Sequence, residues 1–329
     1  KTCRNQPGID KFLKELKENT FETHHCVTVA EAPGVQYDEL DDFIGDQGYF
    51  SMIFDFKHAD LDVASGSEWF KRVDWTIKDL NTRIMTSQLA IQKVGWAANF
   101  IENHDQPRAT TKYLKTFAEH KDAVKMMGAM YFFLRGTPFI YQGQELGMTN
   151  FKRNTINDFN DLSSIDQYYR SIDEGYSEEE ALEFVNLRSR DNARTPFPWS
   201  DKENAGFSDT TPWLKVIENY KDINAQSQIN NSESILEFYK KMIKLRQDSE
   251  YSDCLIYGSI EPIDIESDNV IAYRRQLDLV VIDYNFSDKP VEIKTEEKYD
   301  IVFQNLDDIN LLNKTVSLKP FQAVLLKVR

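Results

Sequence analysis

Residues 96–108 read WAANFIENHDQPR and carry the pattern on which the fold prediction depends. The stretch Trp96 to Ile101 is short and mostly apolar, as in a buried strand. Two acids, a histidine and an arginine follow it, and the apolar run Ala123 to Leu134 behind them predicts a helix. A strand, a polar loop and a helix in this order are typical of one unit of a parallel sheet. Such sheets place their active sites at the carboxyl ends of the strands.

Further units of the same kind lie on both sides of this one. Strands are predicted at Cys26 to Ala30, Tyr49 to Phe56 and Pro138 to Gln142. Helices are predicted where apolar residues recur every three or four positions, over residues 9–16, 73–84 and 232–247. This alternation indicates an α/β fold with a parallel sheet, either open and doubly wound or closed as a barrel. Since we count four units and a (β/α)₈ barrel needs eight, the barrel interpretation makes this chain half of a barrel.

After the fourth strand, the regular alternation of strand and helix ends. A polar insertion follows the fourth strand and contains one predicted small helix, signalled by a capping box at Ser177 and Glu180. From Leu255 onward, short alternating strands follow one another, which indicates a small β domain. They are predicted at Val270 to Tyr273, Leu279 to Tyr284, Val291 to Ile293, Ile301 to Phe303 and Ala323 to Val328. The predicted domains are residues 1–250 and residues 251–329.

Composition excludes several classes of protein. The net charge of −15 argues against a nucleic-acid partner. The longest apolar stretch, Met126 to Leu134, is too short to span a bilayer, and no basic-then-apolar signal segment opens the sequence, so we expect no membrane association. The three cysteines, Cys3, Cys26 and Cys254, are odd in number and far apart, which favours a reducing compartment and hence the cytoplasm.

Two acids stand at predicted strand ends. Glu31 follows the strand Cys26 to Ala30, although a glutamate at this position is often a solvated loop residue. Asp105 lies in the loop ENHDQPR with His104 and Arg108, and the alternative there is a loop that satisfies its own hydrogen bonds. Because parallel strands end at one edge of a sheet, we hypothesise that the two acids belong to one site.

A third polar cluster, residues 188–199, reads RSRDNARTPFPW. Three arginines so close together need acids or an acceptor-rich ligand, and the alternative is an arginine–aspartate network that fixes a long loop. Two carboxylates, a histidine and arginines form the set that glycoside hydrolysis requires, because one acid protonates the leaving oxygen while its neighbours bind the sugar hydroxyls. The sequence shows no metal-binding cluster, phosphate loop or nucleophilic Ser or Cys motif, so we expect no cofactor.

Six collinear motifs resemble the oligo-1,6-glucosidase and α-glucosidase branch of glycoside hydrolase family 13. They are NQPGIDKFLKEL (5–16), TVAEAPG (28–34), ENHDQPR (102–108), GTPFIYQGQELGMTN (136–150), RDNARTPFPW (190–199), and NAGF (204–207) followed by PWLKV (212–216). The resemblance implies the C-terminal half of a (β/α)₈ barrel, strands five to eight, followed by an all-β sandwich domain.

The resemblance also implies roles for single residues. Glu31 matches the family's general acid/base, and Asp105 matches the aspartate that stabilises the transition state. His104 matches a histidine that binds hydroxyls of the first glucose, and Arg194 matches the arginine that holds the non-reducing end. Arg108 is expected to orient Asp105 or to contact the sugar. The implied activity is a retaining, exo-acting α-glucosidase that releases glucose from short α-glucosides.

In this family the nucleophile is an aspartate in a segment upstream of NQPG, so we expect this chain to need the N-terminal half of the barrel as its partner and to be inactive alone. Half a barrel should also associate through its open strand edges. Alternatives are a trehalose-6-phosphate hydrolase and a non-catalytic relative that serves as a structural subunit. Pro33 and Pro198 depart from the family pattern, and Pro33 leaves the linkage preference open.

Overall fold

The computed structural model describes residues 6–64, 66–276, 280–307, 309–312 and 314–329. Its first part is built on four strands in the order β1, β2, β3, β4, all parallel to their neighbours. They are β1 (Val29–Glu31), β2 (Met52–Phe54), β3 (Ala97–Asn99) and β4 (Thr137–Pro138). Four parallel strands in chain order are half of the number in a closed (β/α)₈ barrel.

The two faces of this sheet are covered differently. Phe54 packs its ring against Phe100 and Phe139, with ring centroids 5.2 and 4.8 Å apart, so the aromatic face of β2 looks toward the inside of the sheet's curve. Ile53 points the opposite way, because successive side chains alternate, and joins a buried cluster with Ile91 on the outer layer. The sheet therefore has an inner face of aromatic side chains and an outer face covered by helices.

Nine α-helices surround or follow the strands in the described part of the chain. They are α1 (Ile9–Leu16), α2 (Leu40–Phe43), α3 (Ile77–Ile91), α4 (Lys121–Phe132), α5 (Leu162–Asp173), α6 (Glu178–Arg188), α7 (Ala225–Gln228), α8 (Ile235–Asp248) and α9 (Ser252–Tyr257). Thr76 caps α3 and Ser177 caps α6, each by accepting a hydrogen bond from the backbone N–H three residues on.

The four strands overlap the predicted ones but are shorter; β1 ends one residue later than predicted, at Glu31, and β4 shares only Pro138 with its predicted range. The prediction of one small helix in the polar insertion after β4 was incomplete, because α5 precedes α6 and packs against it; α7 was not predicted either. Asp161 caps α5 through its side chain, a signal that the sequence offered but that the prediction missed. Val73 was also assigned wrongly: it is 45% exposed and lies before α3, which begins at Ile77.

The last part of the chain consists of two antiparallel sheets. One has the order β5, β6, β7, β12, β9 and the other the order β10, β11, β8. The strands are β5 (Ile260–Pro262), β6 (Val270–Arg275), β7 (Val280–Asn285), β8 (Val291–Lys294), β9 (Tyr299–Gln304), β10 (Asn310–Leu312), β11 (Thr315–Leu318) and β12 (Ala323–Val328). The sequence missed β5, β10 and β11, and the predicted strand start Leu279 lies outside the described residues.

Helix α4 joins the two parts, because nearly all of its residues are buried in one continuous core. Tyr273 of β6 donates its hydroxyl to the carbonyl of Met130 at 2.7 Å, and Tyr284 of β7 donates to that of Ala129 at 3.0 Å. Helix α9 lies beyond the predicted boundary at residue 250 and packs against α8. The exact domain boundary therefore stays a prediction.

None of the helices in the described ranges is long and apolar enough to cross a bilayer. Cys26 is exposed and Cys254 is buried, and both are free thiols. Cys3 lies outside the described residues.

Candidate active site

Glu31 is the last residue of β1 and is exposed. In the parallel register it stands beside Phe54 of β2, so its side chain lies on the same inner face of the sheet. Ala30 before it is 2% exposed and packs into the outer cluster, which fixes the direction in which Glu31 must point. The structure thus places this carboxylate at the carboxyl end of the sheet, facing the inside of its curve.

The loop that carries His104 and Asp105 is closed by a buried ion pair. Glu102 accepts a hydrogen bond from the Arg108 guanidinium at 2.9 Å and another from the backbone N–H of Ala109 at 2.6 Å. The side chains of Glu102 and Arg108 are each 1% exposed. Burial raises the pKa of Glu102, and the charge of Arg108 opposes that shift. The ends of the loop are therefore joined, and of the residues between them His104 is exposed and Asn103 and Asp105 are partly exposed, whereas Gln106 and Pro107 are buried.

The structure corrects the prediction for Arg108. Its guanidinium donates to the carbonyls of Gln142 at 2.7 Å and Ala193 at 3.4 Å, in addition to Glu102, and does not contact Asp105. Such a buried side chain is not available to a sugar at the surface. Arg108 belongs to the same motif as Asp105, three residues further along the chain. Its long side chain extends back into the core and not toward Asp105.

Asp105 is held by groups from two different loops. Arg194 donates to its Oδ1 at 2.6 Å, Arg190 lies 3.5 Å from the same oxygen, and His104 Nε2 lies 3.6 Å from Oδ2. Arg194 also donates from Nε to the backbone carbonyl of His104 at 2.9 Å. The structure therefore brings His104, Asp105 and Arg194 together, as the sequence predicts, and adds Arg190.

Arg190 is the site residue that sequence reasoning missed. The arginine cluster was interpreted either as a ligand-binding group or as a network that fixes a loop, and its three arginines have different partners. Arg188 pairs with Asp60 at 2.9 Å and with Asp62, which fixes the loop after β2. Arg194 reaches Asp105, whereas Arg190 contacts both Asp105 and the buried Asp161. The signal that could have found it is the aspartate at the start of α5.

Glu31 and Asp105 share one edge of the sheet. Strand β2 separates β1 from β3, so the strand tips are two spacings, about 10 Å, apart. Glu31 lies at the tip of β1 and is exposed, and Asp105 lies in the loop that follows β3 and is flanked by cations. Such an edge can offer a proton from one side and accept sugar hydroxyls or stabilise positive charge from the other.

A cavity of about 540 Å³ opens behind the strand tips. Pro33 and Tyr37 line it from the loop after β1, Ile53 and Ile91 line it from the outer cluster, and Phe54 of the inner face also borders it. Tyr37 donates its hydroxyl to Asp55 at 2.7 Å, and burial raises the pKa of this tyrosine. Asp55 also lines a small cavity with Ser87 and Ile91 of α3, so it points to the outer layer, away from the face on which Glu31 lies.

Comparison with known proteins gives a family match and relatives. The family model described as "Alpha amylase, catalytic domain" matches residues 1–258. The chain is 41% identical over 275 residues to the probable oligo-1,6-glucosidase 3 of Bacillus subtilis, which covers 83% of this chain and 48% of that protein. It is 31% identical over 334 residues to the oligo-1,6-glucosidase of Bacillus cereus, which covers 99% of this chain and 59% of that protein.

A solved structure with the same fold is the trehalose-6-phosphate hydrolase of Bacillus licheniformis. The TM-score is 0.89 at 31% identity, and the match covers 98% of this chain and 60% of that chain. The chain thus spans about half to three fifths of the length of these relatives. The matches confirm the predicted fold class, the C-terminal half of a (β/α)₈ barrel followed by an all-β domain.

Proposed function

Because this chain belongs to the family of the alpha-amylase catalytic domain, we propose that it forms part of a retaining, exo-acting α-glucosidase of the oligo-1,6-glucosidase type. The substrates would be short α-glucosides, from which the enzyme releases glucose. The names of the two Bacillus relatives support this substrate class. The observation that carries the proposal is Asp105, which Arg194, Arg190 and His104 surround at the same sheet edge as Glu31.

In the proposed reaction, Glu31 is the general acid/base. Its exposed position at the tip of β1 lets it reach the glycosidic oxygen, protonate it and later deprotonate water. Asp105 stabilises the positive charge that develops on the sugar ring, and His104 and Arg194 bind hydroxyls of the terminal glucose. Arg108 and Glu102 hold the loop from below and do not touch the substrate.

The spacing of the strand tips supports the expectation that one further carboxylate, the nucleophile, is needed. In a retaining glycosidase, the acid/base and the nucleophile lie about 5 to 5.5 Å apart, close to one strand spacing and half the distance between the tips of β1 and β3. Asp55, on the adjacent β2, faces the outer layer and is bound by Tyr37. We therefore expect the nucleophile on a strand that pairs with the other edge of β1, supplied by polypeptide outside these 329 residues, as the family resemblance implies.

The variant Glu31→Gln tests the assignment in the full-length protein. With isomaltose as substrate, we expect turnover to fall by about 10²- to 10⁴-fold, because the leaving alcohol then receives no proton. The loss should be smaller for an aryl α-glucoside whose phenol leaves without protonation. Glu22→Gln, an exposed glutamate paired with Lys17 at 3.7 Å, is the matched control. A Glu31→Gln enzyme of nearly normal rate on isomaltose would remove Glu31 from this role.

The type of glycosidic linkage that the enzyme hydrolyses is also a proposal. Trehalose-6-phosphate hydrolase is the alternative within the same class, and the match to the Bacillus licheniformis structure is in the same range of identity as that to the Bacillus cereus enzyme. Rates on isomaltose, maltose and trehalose 6-phosphate separate the two activities. A cytoplasmic location likewise stays a prediction.

A further inference from the structure

We propose that Arg190 is a positioning residue that fixes the carboxylate of Asp105, and that it is itself anchored by Asp161 at the start of α5. The proposal rests on the function proposed above and adds a residue to its machinery. Helix α5 takes part in the site because its N-cap residue, Asp161, binds Arg190, and Arg190 in turn contacts Asp105.

The guanidinium of Arg190 is bound on several sides. Its Nε donates to Asp161 Oδ1 at 2.9 Å, and its Nη2 donates to the same carboxylate and to Ser163 Oγ, the latter at 3.1 Å. Its Nη1 remains for Asp105 and lies 3.5 Å from Oδ1. The planar guanidinium thus bridges two aspartates. Its hydrogen bonds to Asp161 and Ser163, on the side away from Asp105, set its position.

Asp161 is a rigid anchor because it is buried and fully engaged. Its side chain is 1% exposed, and it accepts hydrogen bonds from the backbone N–H groups of Ser163 and Ser164 and from the Ser164 hydroxyl at 2.7 Å. Burial alone would raise the pKa of this carboxyl, but the hydrogen bond from Arg190 and those at the helix start hold it below its usual range. The anchor is therefore ionised at neutral pH.

Arg194 is attached in a different way. Both of its hydrogen bonds to described residues, to Asp105 and to the His104 carbonyl, go to the loop that it faces, and its side chain is 32% exposed. It can turn from Asp105 to a sugar hydroxyl without breaking a buried contact. Arg190 cannot move in this way, because it would have to leave Asp161. Arg190 thus keeps Asp105 in place while Arg194 is free for the substrate.

Both arginines meet Oδ1 of Asp105, whereas Oδ2 faces His104 at 3.6 Å. The carboxylate is therefore turned so that one oxygen is bound by the protein and the other is directed toward the imidazole predicted to bind the sugar. Without Arg190, this orientation would depend on Arg194 alone, which must also serve the substrate.

The test uses kinetics of the full-length enzyme. For Arg190→Ala and Asp161→Asn we expect kcat to fall by roughly 10²-fold with little change in KM, as for a misplaced reacting group. Guanidinium ion should restore part of the rate of Arg190→Ala, and Arg194→Ala should instead raise KM. Arg170→Ala, an arginine on α5 paired with the surface acids Glu68 and Asp166, is the matched control and should change neither constant.

A double variant separates positioning from general stability. Adding Arg190→Ala to an Asp105→Asn enzyme should cause no further loss of kcat, since Arg190 acts through that carboxylate. An equal loss in both backgrounds, or an Arg190→Ala enzyme with normal kcat, would overturn the proposal.

A readout without catalysis distinguishes this proposal from the proposed function. The ¹³C carboxyl resonance of Asp105 should shift in Arg190→Ala and in Asp161→Asn but not in Arg170→Ala. An unchanged resonance in the first two variants would refute the positioning role. An Asp105→Asn enzyme with full activity, together with the shifted resonance in Arg190→Ala, would refute the proposed function and leave the positioning contact standing.

Discussion

We expect the free energy of unfolding of the native protein to rise with pH above neutrality because of Lys112, and Lys112→Met to remove this contribution. The Lys112 side chain is 3% exposed, and its Nζ contacts the carbonyl of Ala59, lies 3.4 Å from Gln106 Oε1 and 3.7 Å from Asp62. Burial lowers the pKa of Lys112 to about 7, with the nearby positive charge of Arg188 adding to the shift and Asp62 opposing it.

The size of the effect follows from the two protonation states. In the unfolded chain, Lys112 has its ordinary pKa near 10.5, so between pH 7 and 10.5 the unfolded state binds more protons than the folded state. The free energy of unfolding therefore rises with pH across this window, by at most about 1.4 kcal/mol per pH unit. From pH 7 to about pH 9 the contribution of this one group is about 2 kcal/mol, because it is half titrated at the start.

Urea unfolding followed by tryptophan fluorescence measures this contribution. The difference in free energy of unfolding between native protein and Lys112→Met should change by about 2 kcal/mol in favour of the native protein between pH 7 and about pH 9. Lys115→Met, which alters an exposed lysine 4.5 Å from the Trp75 ring, is the control and should leave the pH dependence unchanged. If Lys112→Met and the native protein showed parallel pH profiles, Lys112 would not be a buried titrating cation.

Two further outcomes are expected. Arg108→Met should lower the free energy of unfolding by about 3–5 kcal/mol, because Glu102 is left buried without its cation, and adding Glu102→Gln should recover part of the loss in the same urea assay. If the single variant were as stable as the native protein, this ion pair would not be holding the loop. The isolated 329-residue chain should associate or bind an apolar dye, because α1 leaves Phe12 67% exposed and Val27 after it is 77% exposed. A monomer in analytical ultracentrifugation that melts cooperatively would contradict this expectation.

Local sequence patterns determined much of the fold. The apolar run of α4, the capping box of α6 and the strand positions of β1 to β3 follow from spacing and from residue type. Helix α5 was missed although Ile165, Tyr168 and Ile172 recur at helical spacing and Asp161 offers a cap, because the surrounding polar insertion was interpreted as a loop with one small helix. The sequence prediction also missed the short strands β5, β10 and β11, although strands of the same length, such as β1 and β8, were predicted.

For the site, the sequence by itself determined which side chains are available: a strand-end Glu31, the pair His104 and Asp105, and an arginine cluster. Local motifs specify these because each lies within a few residues of its strand end or turn. Only the tertiary structure decided which arginine meets Asp105, since Arg108, three residues away, turns into the core, whereas Arg190 and Arg194 arrive from a loop more than eighty residues further along. The physical reason is that ion pairing depends on distance in space, and burial of Arg108 with Glu102 removes the nearest cation in sequence from the site.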